Sequence, residues 1–168
     1  MTGMPITVVN EPGDRPAWIR ETVRLLADRM ESGRGRLLAL VESASDDELV
    51  SGKDEEWGIG QVAVHLLIVE RGVLGIAQRL ARGEVSPDTG QPRPAAAEVT
   101  RGGIAALAER SRRAVEAFRT GFPAGPDTGA TARHPFYGEM NCFGWLLTLP
   151  NHYDAHLDSY VQGVPSAL

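Results

Sequence analysis

Apolar positions recur at helical spacing in four long segments, separated by polar stretches rich in Gly and Pro. The first runs from about Pro16 to Ala44, with Trp18, Thr22, Leu26, Met30, Gly33, Leu37 and Val41 on one stripe. Pro16 suits a first-turn position. Gly33 lies on the stripe itself, so the pattern predicts another helix approaching closely there. SASDDELVSGKDEEW, residues 43–57, breaks the periodicity, and its acidic DDEL part predicts one short turn. The second segment runs from about Gly58 to Ala81, with Val62, His65, Leu66, Val69, Val73, Ile76 and Leu80 on its stripe. Val64, Leu67, Ile68 and Leu74 widen its apolar surface, and a helix apolar on most sides belongs in the middle of a bundle. His65 is therefore expected inside.

GEVSPDTGQPRP, residues 83–94, reads as a loop. A third helix is expected from about Ala95 to Arg119, with Val99, Ile104, Leu107, Ala108, Val115 and Phe118 facing the core and Glu109, Arg110, Arg112 and Arg113 facing water. Residues 120–138 form a second loop, longer than a bare helix connection needs, and such loops often carry function. The fourth helix runs from about Glu139 to Gly163, where Pro150 removes one backbone donor and predicts a kink or a restart. ITVV at 6–9 adds at most one short strand. The expected fold is all-α, a four-helix bundle over residues 16–168 behind an irregular segment of residues 1–15.

Composition narrows the function. The chain has 168 residues, enough for one compact domain. Its net charge of −5 argues against general nucleic-acid binding, which needs a basic face. Lys53 is the lone lysine among 17 basic residues; with many Ala, Gly and Pro, this reads as a high-GC coding bias rather than as a set of phosphate sites. Cys142 is the one cysteine, so no intrachain disulfide is expected, which fits a reducing cytoplasm. No signal peptide and no uninterrupted apolar run of membrane-spanning length are found, so no membrane partner is expected.

The candidate chemistry lies in NHYDAHLDSY, residues 151–160. His152 and His156 sit one helical turn apart on the same side. A helical wheel places Leu146, Tyr153, Leu157 and Tyr160 on the apolar face and Asn151, Asp154, Asp158 and Gln162 on the polar face. The two histidines fall at the border, where a ligand pair lining a half-open cleft would lie. Ligands in a bundle come from facing helices, so His65 is the natural third donor. Three neutral imidazoles would leave coordination positions open, as in a catalytic rather than a structural metal site. Asp154, Asp158 and Glu70 are candidate supporting carboxylates, though each reads more readily as an ordinary surface charge. His134 sits in a loop before Pro135 and reads as a non-ligand, with an acid–base role at the mouth of such a site as the less favoured alternative. Cys142 reads as a small buried hydrophobe.

EEWGIGQVAVHLLIVERGV, residues 55–73, resembles the Trp-then-His-Leu opening of the second helix in the DinB (DNA-damage-inducible) family. HPFYGEMNCFGWLLTLPNHYDAHLDSY, residues 134–160, resembles its later signature, a His-Pro-x-x-Gly entry followed by His-x3-His on the last long helix. The resemblance runs from the first helix through residue 163. It implies a four-helix bundle, often dimeric, with a divalent metal held at the positions of His65, His152 and His156. The related mycothiol-dependent maleylpyruvate isomerases and bacillithiol S-transferases share this bundle, and in them the metal activates the thiol of a low-molecular-weight cofactor. DNA binding is not implied. Two departures concern the pocket: Gly58 replaces the usual Ser or Thr cap after the Trp, and Ser159 and Tyr160 replace Gln and an aliphatic residue after His-Leu.

The expected function is thus a divalent-metal-dependent enzyme, with zinc or nickel the ions anticipated. It would be a thiol S-transferase acting on a small-molecule substrate, possible homodimer included, with Arg133 as a carboxylate anchor. The same residues also fit a hydrolase that activates water, a dimeric bundle that binds metal or a small ligand without chemistry, or three histidines that merely pack.

Overall fold

Each long amphipathic segment becomes a helix, and the loop before the last one adds a small hairpin. The computed structural model describes residues 15–52, 56–87, 93–95 and 98–163. In chain order the elements are α1 (Ala17–Ser43), α2 (Asp46–Val50), α3 (Ile59–Ala81), α4 (Arg101–Gly121), β1 (Ala132–His134), β2 (Gly138–Met140) and α5 (Cys142–Gln162). α1, α3, α4 and α5 form the bundle. The strand anticipated at 6–9 lies outside the described residues.

Local chemistry sets most boundaries. Ser45 and Glu48 close a reciprocal capping box on α2, with bonds of 3.2 and 2.6 Å. At α3 the cap residue Gly58 has no side chain to offer, and the Gln61 side chain instead accepts its N–H at 3.1 Å. α4 starts at Arg101, later than the apolar periodicity suggests, because the Thr100 hydroxyl takes the N–H of Gly103 at 3.0 Å. Asn141 caps α5 in the same way. α5 does not restart at Pro150: the helix runs through it, and the buried ring occupies core space in place of the lost donor.

The core falls into two apolar clusters. One gathers Val23, Met30, Ile76, Phe118, Trp145 and Leu149; the other gathers Leu37, Leu49, Leu66, Leu107, Tyr153 and Leu157. Between their residues on each helix lies a buried polar layer. Arg34 of α1 donates to Glu70 of α3 at 2.7 Å, the Tyr153 hydroxyl of α5 donates to the other Glu70 oxygen at 2.8 Å, and Ser111 of α4 donates to the Leu67 carbonyl at 2.9 Å. α3 meets the three other long helices. By length and composition it is apolar enough to cross a membrane, but 67% of its most apolar window is buried within the bundle.

Gly33 is the predicted close approach. A Cβ built there would stand 2.7 Å from Cγ of Tyr153, whereas one at Gly35 meets nothing within 4 Å. Gly33→Ala is expected to destabilise by about 1–3 kcal/mol through overpacking. Gly35→Ala, on the exposed side of the same helix, is expected to stabilise by about 0.5–1 kcal/mol. Urea denaturation of both variants checks the pair, and equal shifts would contradict the packing described. Trp18 departs from its expected core position: it is 59% exposed and leans on Phe143, with ring centroids 6.0 Å apart. Ile19 takes the inward place instead.

Candidate metal centre

The turn of α3 that carries His65 faces the middle of α5, and three imidazoles meet there. His152 Nε2 lies 3.2 Å from His65 Nε2 and 3.1 Å from His156 Nε2. The ligand atoms of all three lie within 4.8 Å of one another. His65 and His156 are buried and His152 is half-buried, so the cluster opens on the His152 side.

These distances can be tested against an ion. Imidazole nitrogens at zinc-like bond lengths of about 2.0–2.1 Å stand roughly 3.3–3.4 Å apart on a tetrahedron and roughly 2.8–3.0 Å apart at adjacent octahedral corners. The two short separations fall between these values. Protein hydrogen bonding explains the arrangement less well. His152 Nε2 has one in-plane position for a proton or a lone pair, yet two other Nε2 atoms crowd it. A cation at the centre would satisfy all three lone pairs together.

Burial favours the form that ligates. The His152 ring is held down to about 3, first by burial and then by the nearby His156 and His65 rings. His156 is held down to about 4, by burial first and then by His65. The unfolded chain therefore takes up protons below about 6.5, while these two folded rings resist until far lower pH. More protons on the unfolded chain means stability is lost as pH falls. Denaturation midpoints of metal-stripped protein are expected to drop between pH 6.5 and about 5, a window above the ordinary carboxylate range. A flat profile across that window would contradict the buried neutral pair.

Aromatic side chains wall the cluster. Trp57, just before α3, packs on His65 at 4.9 Å and lies nearly parallel to His156 at 6.4 Å. The loop before α5 folds into the hairpin formed by β1 and β2, which the helical reading missed. Its strands have three residues each, too short for a visible alternation. The signal that was present is the turn: Pro135 follows His134, and Gly138 has a φ of +76°, which suits glycine. The hairpin is pinned in place. Trp145 donates its indole N–H to the Ala132 carbonyl at 3.2 Å, and Ala132 and Met140 pack on the core.

The remaining candidates separate clearly. Glu70 belongs to the buried layer with Arg34 and Tyr153; burial pushes its carboxyl up, against the pull of Arg34. Asp154 pairs with Arg29 and Arg36 of α1 at 3.3 and 3.1 Å, and Asp158 reaches Arg36 at 3.9 Å. Asp154 and Asp158 thus act as the surface charges favoured from sequence, whereas Glu70 is a buried one. Cys142 is buried, with its thiol directed at the Asp127 carbonyl and pushed up by burial. Arg133 is exposed, whereas Ala132 and His134 on either side of it are half-buried. Strand alternation thus turns Arg133 away from the face that His134 shares.

Comparison with known proteins gives a consistent picture. A family model described as the DinB superfamily matches residues 29–158. The crystal structure of TT2238, a four-helix bundle protein, is similar over 84% of this chain and 98% of that one, with 27% identity and a TM-score of 0.60. No curated protein matches the chain.

Proposed function

This chain belongs to the DinB superfamily, and on that premise we propose a divalent-metal-dependent enzyme whose ion is held by His65, His152 and His156. The observation that carries the reading is the convergence of three buried or half-buried Nε2 atoms, two of them 3.1 and 3.2 Å from the third. Zinc and nickel suit an all-imidazole donor set. The reaction proposed is thiol S-transfer. When bound, such an ion lowers the pKa of a thiol and holds it as thiolate.

The chain's own residues support this in three ways. The His152 and His156 rings stay neutral, so they need not lose a proton before ligating. Trp57 shields one side from water, and the half-buried His152 marks the side open to a small molecule. Cys142 is buried and raised, so the reacting thiol has to come from outside the chain, as from a low-molecular-weight thiol of the mycothiol or bacillithiol kind. A reducing cytoplasm is the compartment where such thiols persist.

The reading extends to a homodimer. Trp18, Leu25 and Leu147 are 59%, 49% and 58% exposed, and Trp18 meets Phe143 across α1 and α5, which gives an apolar face suited to a second copy. Light scattering of the purified protein tests this part separately.

The test of function is product formation from a low-molecular-weight thiol and an electrophile such as an epoxide or activated alkene, using metal-loaded, untagged protein. Turnover that requires both metal and thiol is expected. Turnover that persists with the thiol omitted would overturn thiol transfer in favour of water activation.

A further inference from the structure

The hairpin sets a fourth histidine against Trp145, on the α5 stripe that leads to His152, and its chemistry differs from that of the other three. His134 ends β1. Its Nδ1 accepts the backbone N–H of Phe136 at 3.2 Å. A ring that accepts at Nδ1 carries its proton, when neutral, on Nε2. Burial lowers the pKa of this ring and so favours the neutral form. The ring is held between Tyr137 and Trp145, each with its centroid 4.8 Å away. Trp145 is itself fixed by its bond to the Ala132 carbonyl. His134 is therefore an oriented donor on a pinned hairpin, not a loop residue free to turn.

Its place relative to the cluster follows from α5. Trp145 precedes His152 by two helical turns on the same stripe, about 10 Å along the axis. His134 packs on Trp145 from the hairpin, with ring centroids 4.8 Å apart, so it stands beside the stretch of α5 that leads into His152. Arg133, the cation next to it in sequence, is exposed on the opposite side of the strand.

We propose that His134 is the ligand-orienting donor of this site, its Nε2–H bonding an acceptor oxygen of the molecule whose thiol is held at His65, His152 and His156. The inference rests on the metal reading above and adds the substrate class. The thiol is two-ended, with a carboxylate or amide oxygen several bonds from the sulfur. A simple alkanethiol leaves His134 unused.

Cobalt-loaded protein tests this without an assay of turnover. Thiolate binding is read from sulfur-to-cobalt charge-transfer absorption, with glutathione as the two-ended probe and ethanethiol as the one-ended probe. His134→Asn keeps an acceptor for the Phe136 N–H but removes the far-side donor; His134→Gln places an amide N–H near the Nε2 position. Glutathione binding is expected to weaken roughly fivefold to tenfold in His134→Asn and to stay near wild type in His134→Gln, the scale of one hydrogen bond. Ethanethiol binding and cobalt content are expected to stay unchanged in both. Full cobalt uptake with equal glutathione affinity in all three proteins overturns the inference about His134 alone. Failure of the wild-type protein to take up cobalt overturns the metal reading and this inference with it.

Discussion

A His152→Ala variant is expected to purify with almost no bound metal, while wild-type protein carries about one equivalent per chain. His152 is the sharpest choice among the three because its Nε2 is the atom both other rings approach, at 3.2 and 3.1 Å. Losing a group that merely supports a metal ligand already costs about 10–100-fold in affinity, so loss of the central ligand is expected to exceed that range. Any thiol-transfer activity is expected to vanish with the ion. Stability of the metal-stripped fold is expected to change little, because His152 is half-buried and no apolar core position is emptied. Elemental analysis and thermal melting of the stripped proteins check the two halves. Wild-type metal content in the variant would place the ion elsewhere, and a collapse of the stripped fold would make His152 a packing residue.

The second large effect concerns the buried layer. Glu70→Ala is expected to destabilise by about 3–5 kcal/mol, because it leaves the Arg34 guanidinium buried without its carboxylate and takes the acceptor from the Tyr153 hydroxyl. For a chain of this length that corresponds to a fall in Tm on the order of 6–20 °C. The cost is that of an unpaired charge, not the worth of the ion pair, and a further variant separates them. Removing both charges in Arg34→Leu/Glu70→Leu is expected to recover most of the loss, since an apolar pair of similar volume is often neutral or better. Because Tyr153 adjoins His152 and packs on Gly33, the Glu70→Ala variant is also expected to bind metal more weakly. A melting temperature unchanged by Glu70→Ala would contradict a desolvated Arg34–Glu70 pair.

Most of the bundle was legible because its helices are long and amphipathic. The stripe through Val62, His65, Leu66 and Val69 could be read directly, and with it the inward placement of His65. Gly33 announced a close approach because a residue without a side chain sat in the middle of an apolar stripe. The histidine triad was legible for a similar reason: spacing puts His152 and His156 on one side, and bundle packing brings them to a facing helix. What stayed hidden depends on partners distant in sequence. Nothing in the periodicity around Glu70 shows that it will meet Arg34, 36 residues away. Asp154 and Asp158 look alike near a metal site or near α1, and their ion pairs with Arg29 and Arg36 decide the matter. The hairpin was hidden by its shortness, and with it the roles of its residues. Arg133 was the expected carboxylate anchor, whereas strand alternation leaves it exposed and its neighbour His134 half-buried.

The measurement that bears most directly on the proposed centre is X-ray absorption at the zinc edge of the zinc-loaded protein, before and after addition of glutathione. The expected first shell contains three imidazole nitrogens at about 2.0–2.1 Å, joined by one sulfur at about 2.3 Å once the thiol is present. A zinc ion that binds weakly, or whose shell holds fewer imidazoles and gains no sulfur, would contradict a three-histidine site built to receive a thiol.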